Sequence, residues 1–207
     1  MRLRNAPVTT ILLAVITVVF AVEWSRHVES PAGNLVLYRM GAVTHDALFN
    51  GQYWRLFTAM FLHANRLHIL ANAWSLYQLG TAFEDLFGSR RFAVIYFVSG
   101  LCASVGSSLM MAPQGIGVGA SGAIFGILGA FIPSLLRSRW RRERWARSLI
   151  AQLLFWGILN IVMGFQIPEI DNTAHITGLV VGFLLGLAPQ KIVHPPPGEE
   201  TIDVRPT

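Results

Sequence analysis

The chain has 207 residues, of which 53% are hydrophobic and only 13% are charged. Soluble domains are typically about 25% charged, so this composition excludes a soluble protein with one core and a polar surface. The formal net charge of +5 would suit a nucleic-acid-binding protein, but the basic residues cluster between apolar runs. The single cysteine, Cys102, excludes a disulfide framework and a cysteine-rich metal site. The sequence therefore predicts a membrane protein.

Six apolar runs predict an all-α, polytopic membrane bundle of six transmembrane helices over residues 1–190. The predicted spans are residues 7–24, 67–83, 92–112, 121–136, 149–165 and 174–188. A helix rises about 1.5 Å per residue and the hydrocarbon core is about 30 Å thick, so the fourth and sixth spans are short. A short helix must thin the bilayer or begin below its surface, under backbone that is buried in protein or lines a wet cavity.

The basic residues predict which helix ends face the cytoplasm. Six spans place twelve of the 16 Arg and Lys residues on one side and four on the other. Because cytoplasmic loops carry the excess of positive charge, both termini are predicted to be cytoplasmic. A cleaved secretory signal at residues 1–24 is the alternative, but it would break this pattern and has a poor cleavage site at Phe20-Ala21-Val22-Glu23.

The segments between and after the spans also have distinct compositions. Segment 137–147 is rich in arginine with Trp140 and Trp145 interleaved, which favours an interfacial cytoplasmic loop over an RNA site. Segment 25–66 mixes aromatic, polar and glycine residues and suits a structure lying in the outer interface. Residues 191–207 contain a run of three prolines and predict an extended or disordered tail.

Polar residues inside spanning helices are costly, so they are candidates for function. With the predicted orientation, the second, fourth and sixth helices enter from the outer face. Their first turns carry His68 and Asn72, then Ser121, then His175. His68 and Asn72 are four residues apart and share one helix face. Four polar groups from three helices are therefore expected at a similar depth. The other polar candidates are His63, Glu84 and Asp85.

Glycines at four-residue spacing predict that the fourth and sixth helices pack closely. The sixth helix has the strict repeat Gly178, Gly182, Gly186, and the fourth has Gly122 and Gly126. Small residues at this spacing let membrane helices approach one another. If these faces meet, the serine and the histidine at the helix starts come within reach. The alternative is that such glycines only pack the bundle.

A serine beside a histidine is the nucleophile and base of acyl transfer. The Ser121 amide, at a helix start, and the side chains of His68 and Asn72 are plausible donors to an oxyanion. Other peptidase chemistries lack the residues they need. The only lysine, Lys191, and Asp85 both lie at the cytoplasmic end, and no His-Glu-x-x-His zinc motif is present. Cys102 has no histidine or charge nearby in its helix.

Five motifs in this order resemble the rhomboid family of intramembrane serine proteases, over residues 54–188. They are Trp54-Arg55 in the first outer loop, His63-x4-His68-x3-Asn72, Glu84 with Gly88-Ser89, Gly119-Ala120-Ser121-Gly122, and Ala174-His175-x2-Gly178-x3-Gly182. Each motif alone is ordinary, but their order and spacing are specific. The sequence departs from the family at Thr173, where a glycine is frequent.

The resemblance implies a catalytic dyad, with Ser121 as nucleophile and His175 as general base and then acid. It implies an oxyanion site formed by the Ser121 amide with His68 and Asn72, beside Gly119. The remaining matched residues are expected to support the site: Phe125 stacks on the histidine, His63 lies near the cavity mouth, Trp54 anchors the interface, Arg55 braces the loop, Glu84 braces the end of helix two, and Gly178 and Gly182 pack helix six. Glu169 and Asp171 leave a third triad member open, although a loop or helix-capping role suits them better.

The expected function is therefore cleavage of single-span membrane proteins near the outer face, in a bacterial inner membrane and without metal or cofactor. The expected partners are transmembrane-helix substrates and membrane lipid, not nucleic acid, and the sequence gives no oligomeric state. One alternative is a catalytically silent relative that binds transmembrane helices. Another is a proton or metal transporter that uses His63, His68 and His175, but no polar residues continue through the cytoplasmic half.

Overall fold

The computed structural model describes residues 6–137, 144–167, 170–188 and 193 of the chain. Within these ranges the chain is mostly helical. In chain order the helices are α1 (Pro7–Ser25), α2 (Gly33–Met40), α3 (Trp54–Thr58), α4 (Arg66–Ser75), α5 (Thr81–Phe87), α6 (Ser89–Met110), α7 (Ser121–Arg137), α8 (Arg144–Gly164) and α9 (Asn172–Gly186).

Three helices among the described residues are long and apolar enough to cross a membrane. They are α1, α6 and the part of α8 from Ala146 to Gly164. Helices α7 and α9 are apolar but shorter, with 17 and 15 residues, in agreement with the short fourth and sixth predicted spans. Each predicted apolar run is thus helical, apart from residues 111–112, 165 and 187–188 at the ends of three of them.

The arginine-rich loop is shorter than predicted. Helix α8 begins at Arg144, five residues before the predicted start of its span, so Arg144 and Arg147 are helical. Hydropathy places a span boundary where the charges begin, but a helix can continue past this point. Residues 138–143, including Trp140, lie outside the described residues.

The second predicted span is one continuous helix that consists of three parts. Helix α4 passes into a π-helical turn, Leu76–Gly80, which passes into α5. The Asn65 side chain caps α4 by accepting a hydrogen bond from the amide of His68 at 2.8 Å. This helix extends to Phe87, four residues beyond the predicted end of the span. It continues past Glu84 because Glu84 is buried against α1 and does not lie at a solvated helix end.

Helices α6, α7 and α9 pack against one another at the centre of the bundle, and the contact between α7 and α9 is the most extensive. At Gly182 an added Cβ would lie 1.9 Å from the carbonyl oxygen of Gly126, and at Gly178 it would lie 2.0 Å from that of Gly122. Only glycine permits two helix backbones to come this close. The predicted approach of the fourth and sixth helices is therefore confirmed.

The segment between α1 and α4 contains ordered structure. It holds α2, α3, a 3-10 turn (Ala59–Phe61) and the two-residue strand β1, Val43–Thr44. Strand β1 pairs antiparallel with β2, Ile116–Gly117, in the connection before α7. The all-α prediction missed this ladder, because two residues are too few for an alternating pattern to be recognised.

Arg55 joins the parts of this segment. Its buried guanidinium donates hydrogen bonds to the carbonyl oxygens of Tyr38, at 2.7 Å, and Ala42, at 3.1 Å, and to the Gln52 side chain. It also lies over the rings of Tyr38 and Trp54, with its central carbon 4.3 and 4.5 Å from the ring centroids. Trp54 itself is 52% exposed, as an interfacial anchor would be. These contacts are those of a residue that braces the loop.

Glu84, in α5, connects the end of the second predicted span to the start of α1. One of its carboxylate oxygens accepts a hydrogen bond from the amide of Val8 at 2.9 Å. The other accepts from the amide and the hydroxyl of Thr9, both at 2.8 Å. A carboxylate at a helix N-terminus satisfies amides that have no partner within the helix and interacts favourably with the helix dipole.

Replacing Glu84 by alanine is expected to destabilise the bundle by roughly 2–4 kcal/mol, because buried amides lose a charged acceptor. The measurement is thermal or denaturant unfolding in detergent. Glu29→Ala is the control. On the surface, Glu29 pairs with the Arg66 side chain at 3.3 Å and accepts a hydrogen bond from the Arg66 amide at 2.7 Å, so its loss is expected to cost about 1 kcal/mol. Equal effects of the two substitutions would contradict this account of Glu84.

The predicted tail makes at least one contact with the bundle. The amide of Val193 donates a hydrogen bond to the carbonyl oxygen of Leu86 in α5, at 2.7 Å. This single contact does not test the prediction of an extended or disordered tail, which stays a prediction. The remaining residues of the tail, 191–192 and 194–207, lie outside the described residues.

Candidate active site

Ser121 and His175 meet although they are 54 residues apart in the chain. The Ser121 Oγ atom and the His175 Nε2 atom are 2.9 Å apart. Ser121 is the first residue of α7, and His175 lies in the first turn of α9. The glycine contacts between these helices bring their two ends together, so the packing of the bundle creates the pair.

Two contacts hold His175 in place, one to the face of its imidazole ring and one to its backbone amide. The ring of Phe125, one turn along α7 from Ser121, stacks on it with the ring centroids 4.2 Å apart and an angle of 9° between the planes. The amide of His175 donates a hydrogen bond to the carbonyl oxygen of Asp171 at 3.1 Å. Asp171 caps α9 by accepting from the amide of Ala174 at 2.9 Å, so the predicted capping role is confirmed.

Gly119 lets the backbone before Ser121 pack against α4. It has a φ of +123°, and its amide donates a hydrogen bond to the carbonyl oxygen of Ala59 at 2.9 Å. A Cβ at this position would lie 2.7 Å from the Nε2 atom of His68. Only glycine combines this φ with this contact, so His68 lies directly beside the backbone that leads to Ser121.

His68 and Asn72 lie on the side of α4 that faces this backbone. The Asn72 side chain is buried, and its Nδ2 atom donates a hydrogen bond to the carbonyl oxygen of His68 at 3.0 Å. The same atom would be 3.7 Å from a Cβ on Gly119. A carboxamide nitrogen has two hydrogens, so Asn72 has a second donor. Together with the amides of the first turn of α7, these groups can surround a negatively charged oxygen.

His63 is fully buried beside His68. It precedes α4 and has its ring edge-on to the ring of His68, with the centroids 5.1 Å apart. Its amide donates a hydrogen bond to a carboxylate oxygen of Glu23 at 2.9 Å. The contact joins the loop before α4 to the end of α1, and the predicted position of His63 near the cavity mouth stays a prediction. Sequence reasoning missed Glu23, although it is a lone acidic residue within the first apolar run.

The protonation of His63 should make the fold sensitive to acid. Burial, reinforced by the neighbouring His68, lowers the pKa of His63 from 6.5 to about 3. Between these two values the unfolded chain binds a proton at His63 and the folded chain does not, so stability is lost as the pH falls. We expect the thermal midpoint in detergent to fall on acidification below about pH 6.5, and to fall less in His63→Gln. Equal slopes in both proteins would contradict this.

Comparison with known proteins identifies the family. The sequence profile described as Rhomboid domain matches residues 50–190. The chain belongs to the rhomboid family. As a rhomboid protein it is an integral membrane protein with several apolar helices in a polytopic bundle. The resemblance identified from the motifs is thereby confirmed.

Relatives of this rhomboid protein occur in bacteria and plants. It is 34% identical over 185 residues to the putative rhomboid protease YdcA of Bacillus subtilis, a match that covers 88% of each chain. It is 36% identical to the rhomboid protease GluP of the same bacterium, over 73% of this chain and 29% of GluP. It is 40% identical to RHOMBOID-like protein 1 of Arabidopsis thaliana, over 74% of this chain and 39% of the relative. The chain thus spans well under half of the latter two proteins.

Proposed function

We propose that this rhomboid protein is an intramembrane serine endopeptidase in which Ser121 is the nucleophile and His175 the base. The observation that carries the proposal is the distance of 2.9 Å between Ser121 Oγ and His175 Nε2. The names of the relatives GluP and YdcA include the word protease, which supports the same reaction class. The alternative, a catalytically silent relative, would not need this pair.

The reaction follows from the positions of these groups. His175 Nε2 accepts the hydroxyl proton as Ser121 Oγ attacks the peptide carbonyl, and the resulting imidazolium then protonates the leaving amine. Water attacks the acyl-enzyme in the second half, with the same histidine as base. The stacked ring of Phe125 keeps the imidazole in one plane, so Nε2 stays directed at Ser121.

The tetrahedral intermediate carries its negative charge on the former carbonyl oxygen. The proposed donors are the Ser121 amide, His68 and the second hydrogen of the Asn72 amide. Gly119 supports this arrangement because it lets His68 approach the backbone before Ser121. Preorganised donors of this kind typically contribute a factor of about 10²–10³ to the rate.

The proposed substrates are single-span membrane proteins. A transmembrane helix hides its carbonyl groups in hydrogen bonds, so it must unwind before Ser121 can attack. Small or helix-weakening residues near the scissile bond are therefore expected. Cleavage near the outer face of a bacterial inner membrane, with six spans and both termini cytoplasmic, is part of the proposal. The distribution of basic residues supports it.

The experiment is cleavage of a single-span substrate by the purified protein in lipid vesicles, compared with Ser121→Ala. The control is Ser134→Ala in the same helix, because among the described residues the Ser134 hydroxyl hydrogen-bonds only within α7, to the carbonyl oxygen of Ala130. We expect cleavage by the wild type and the control and none by Ser121→Ala. Cleavage by Ser121→Ala equal to the wild type would overturn the assignment. A folded wild-type protein that binds the substrate without cleaving it would favour the catalytically silent alternative.

A further inference from the structure

Asp171 is fixed beside the base by more contacts than a helix cap requires. Its Oδ1 atom accepts a hydrogen bond from the amide of Ala174, and its Oδ2 atom accepts one from the hydroxyl of Ser107 in α6. The backbone carbonyl oxygen of Asp171 accepts a hydrogen bond from the amide of His175. The cap uses one carboxylate oxygen, and a neighbouring helix holds the other. The carboxylate is thus held one helical turn before the imidazole.

The negative charge of this carboxylate is not neutralised by an ion pair in the described part of the chain. The ion pair found there joins Arg66 to Glu29, away from Asp171. Asn, Ser or Thr would cap the helix equally well, so capping does not explain the choice of a charged residue. The two groups that donate to the carboxylate, the Ala174 amide and the Ser107 hydroxyl, are uncharged. They fix the direction of the carboxylate without neutralising its charge.

The titratable side chains near His175 come from two elements. Asp171 is the N-cap of the helix that carries His175, and His68 lies on α4, beside the backbone that leads to Ser121. The Nδ1 atom of His175 has no hydrogen-bond partner among the described residues, so Asp171 does not contact the ring as the third residue of a triad would. The dyad therefore has a carboxylate near the imidazole but not bonded to it.

We propose that Asp171 is a positioning residue that stabilises the imidazolium form of His175 through its charge, with Ser107 holding the carboxylate in place. The inference rests on the proposed function, because His175 becomes an imidazolium only when it takes the proton of Ser121. The opposite charge then lowers the energy of the tetrahedral intermediate and of the transition state that leads to it. Substrate binding does not use this charge, so KM is unaffected.

The test is Asp171→Asn, which removes the charge, keeps an acceptor oxygen for the cap, and presents an NH2 group that can donate to the Ser107 hydroxyl oxygen. We expect the rate of Ser121 labelling by a fluorophosphonate probe, and kcat for a single-span substrate, to fall about tenfold, with KM and the thermal midpoint unchanged. Asp171→Ser also keeps the cap without the charge and should reproduce the result. Ser107→Ala keeps the charge but frees the carboxylate, and should give a smaller decrease.

Three outcomes would overturn the inference. If both charge-free variants are labelled at the wild-type rate, Asp171 is only a helix cap. If their slower labelling is matched by a lower thermal midpoint, loss of the cap explains it. If the folded wild type is not labelled at Ser121 at all, the proposed function itself fails, and the inference fails with it. The first two outcomes leave the peptidase assignment intact.

Discussion

His175→Ala is expected to reduce substrate cleavage by about 10³-fold or more while the bundle stays folded. A serine hydroxyl is a weak nucleophile, and no other side chain in the described structure is hydrogen-bonded to Ser121 Oγ to remove its proton. The measurement is the cleavage rate of a single-span substrate in vesicles, together with the thermal midpoint of the variant. Residual cleavage would come from the oxyanion donors and from substrate binding alone.

The control for this substitution is His27→Asn. His27 is an exposed histidine with a φ of +60°, a conformation that asparagine tolerates. It lies after α1 and outside the candidate site, so activity should be unchanged. A His175→Ala protein that is folded and cleaves at the wild-type rate would contradict the role of the imidazole as base.

Gly182→Ala is expected to have the largest effect on stability, a loss of roughly 3 kcal/mol or more. The new methyl group would lie 1.9 Å from the carbonyl oxygen of Gly126. Because the clash is with backbone, no side-chain rotation can relieve it, and α7 and α9 must move apart. Activity should fall as well, since this contact sets the distance between Ser121 and His175. Unfolding in detergent and cleavage of a substrate measure the two effects.

Gly157→Ala is the matched control, a glycine within helix α8. Within the described part of the chain, the added Cβ would meet only the Leu128 side chain there, at an ordinary distance of 3.4 Å. Alanine favours a helix over glycine by up to about 1 kcal/mol, so this variant should be as stable as the wild type or slightly more stable. Similar thermal midpoints for Gly182→Ala and Gly157→Ala would show that close packing of α7 and α9 does not hold the bundle together.

Local patterns in the sequence predicted the helices and the convergence of their starts. Apolar runs located the spans, and the repeat of Gly178, Gly182 and Gly186 identified the face of α9 that meets α7. Ser121 begins α7 and His175 lies in the first turn of α9, and both helices are short, which limited the depth at which the two residues could lie. These features are readable because each depends on residues close together in the chain.

Contacts between distant segments were not predictable in the same way. Some hydrogen bonds join residues at least 40 positions apart. They are those that Glu84 accepts from Val8 and Thr9, and the one that Glu23 accepts from His63. The pairing of β1 with β2 involves two residues on each side, too few for a periodic signal. A buried carboxylate within an apolar run indicates that a partner exists, but only the fold shows which amide it binds.

The account depends most directly on Ser121 being activated by His175 inside the folded bundle. The decisive measurement is peptide mass spectrometry of the folded protein after reaction with a fluorophosphonate, performed on the wild type and on His175→Ala. We predict a single adduct on the peptide that contains Ser121, and no adduct in the variant. Labelling of Ser121 that does not depend on His175, or no labelling of a folded wild type, would contradict it.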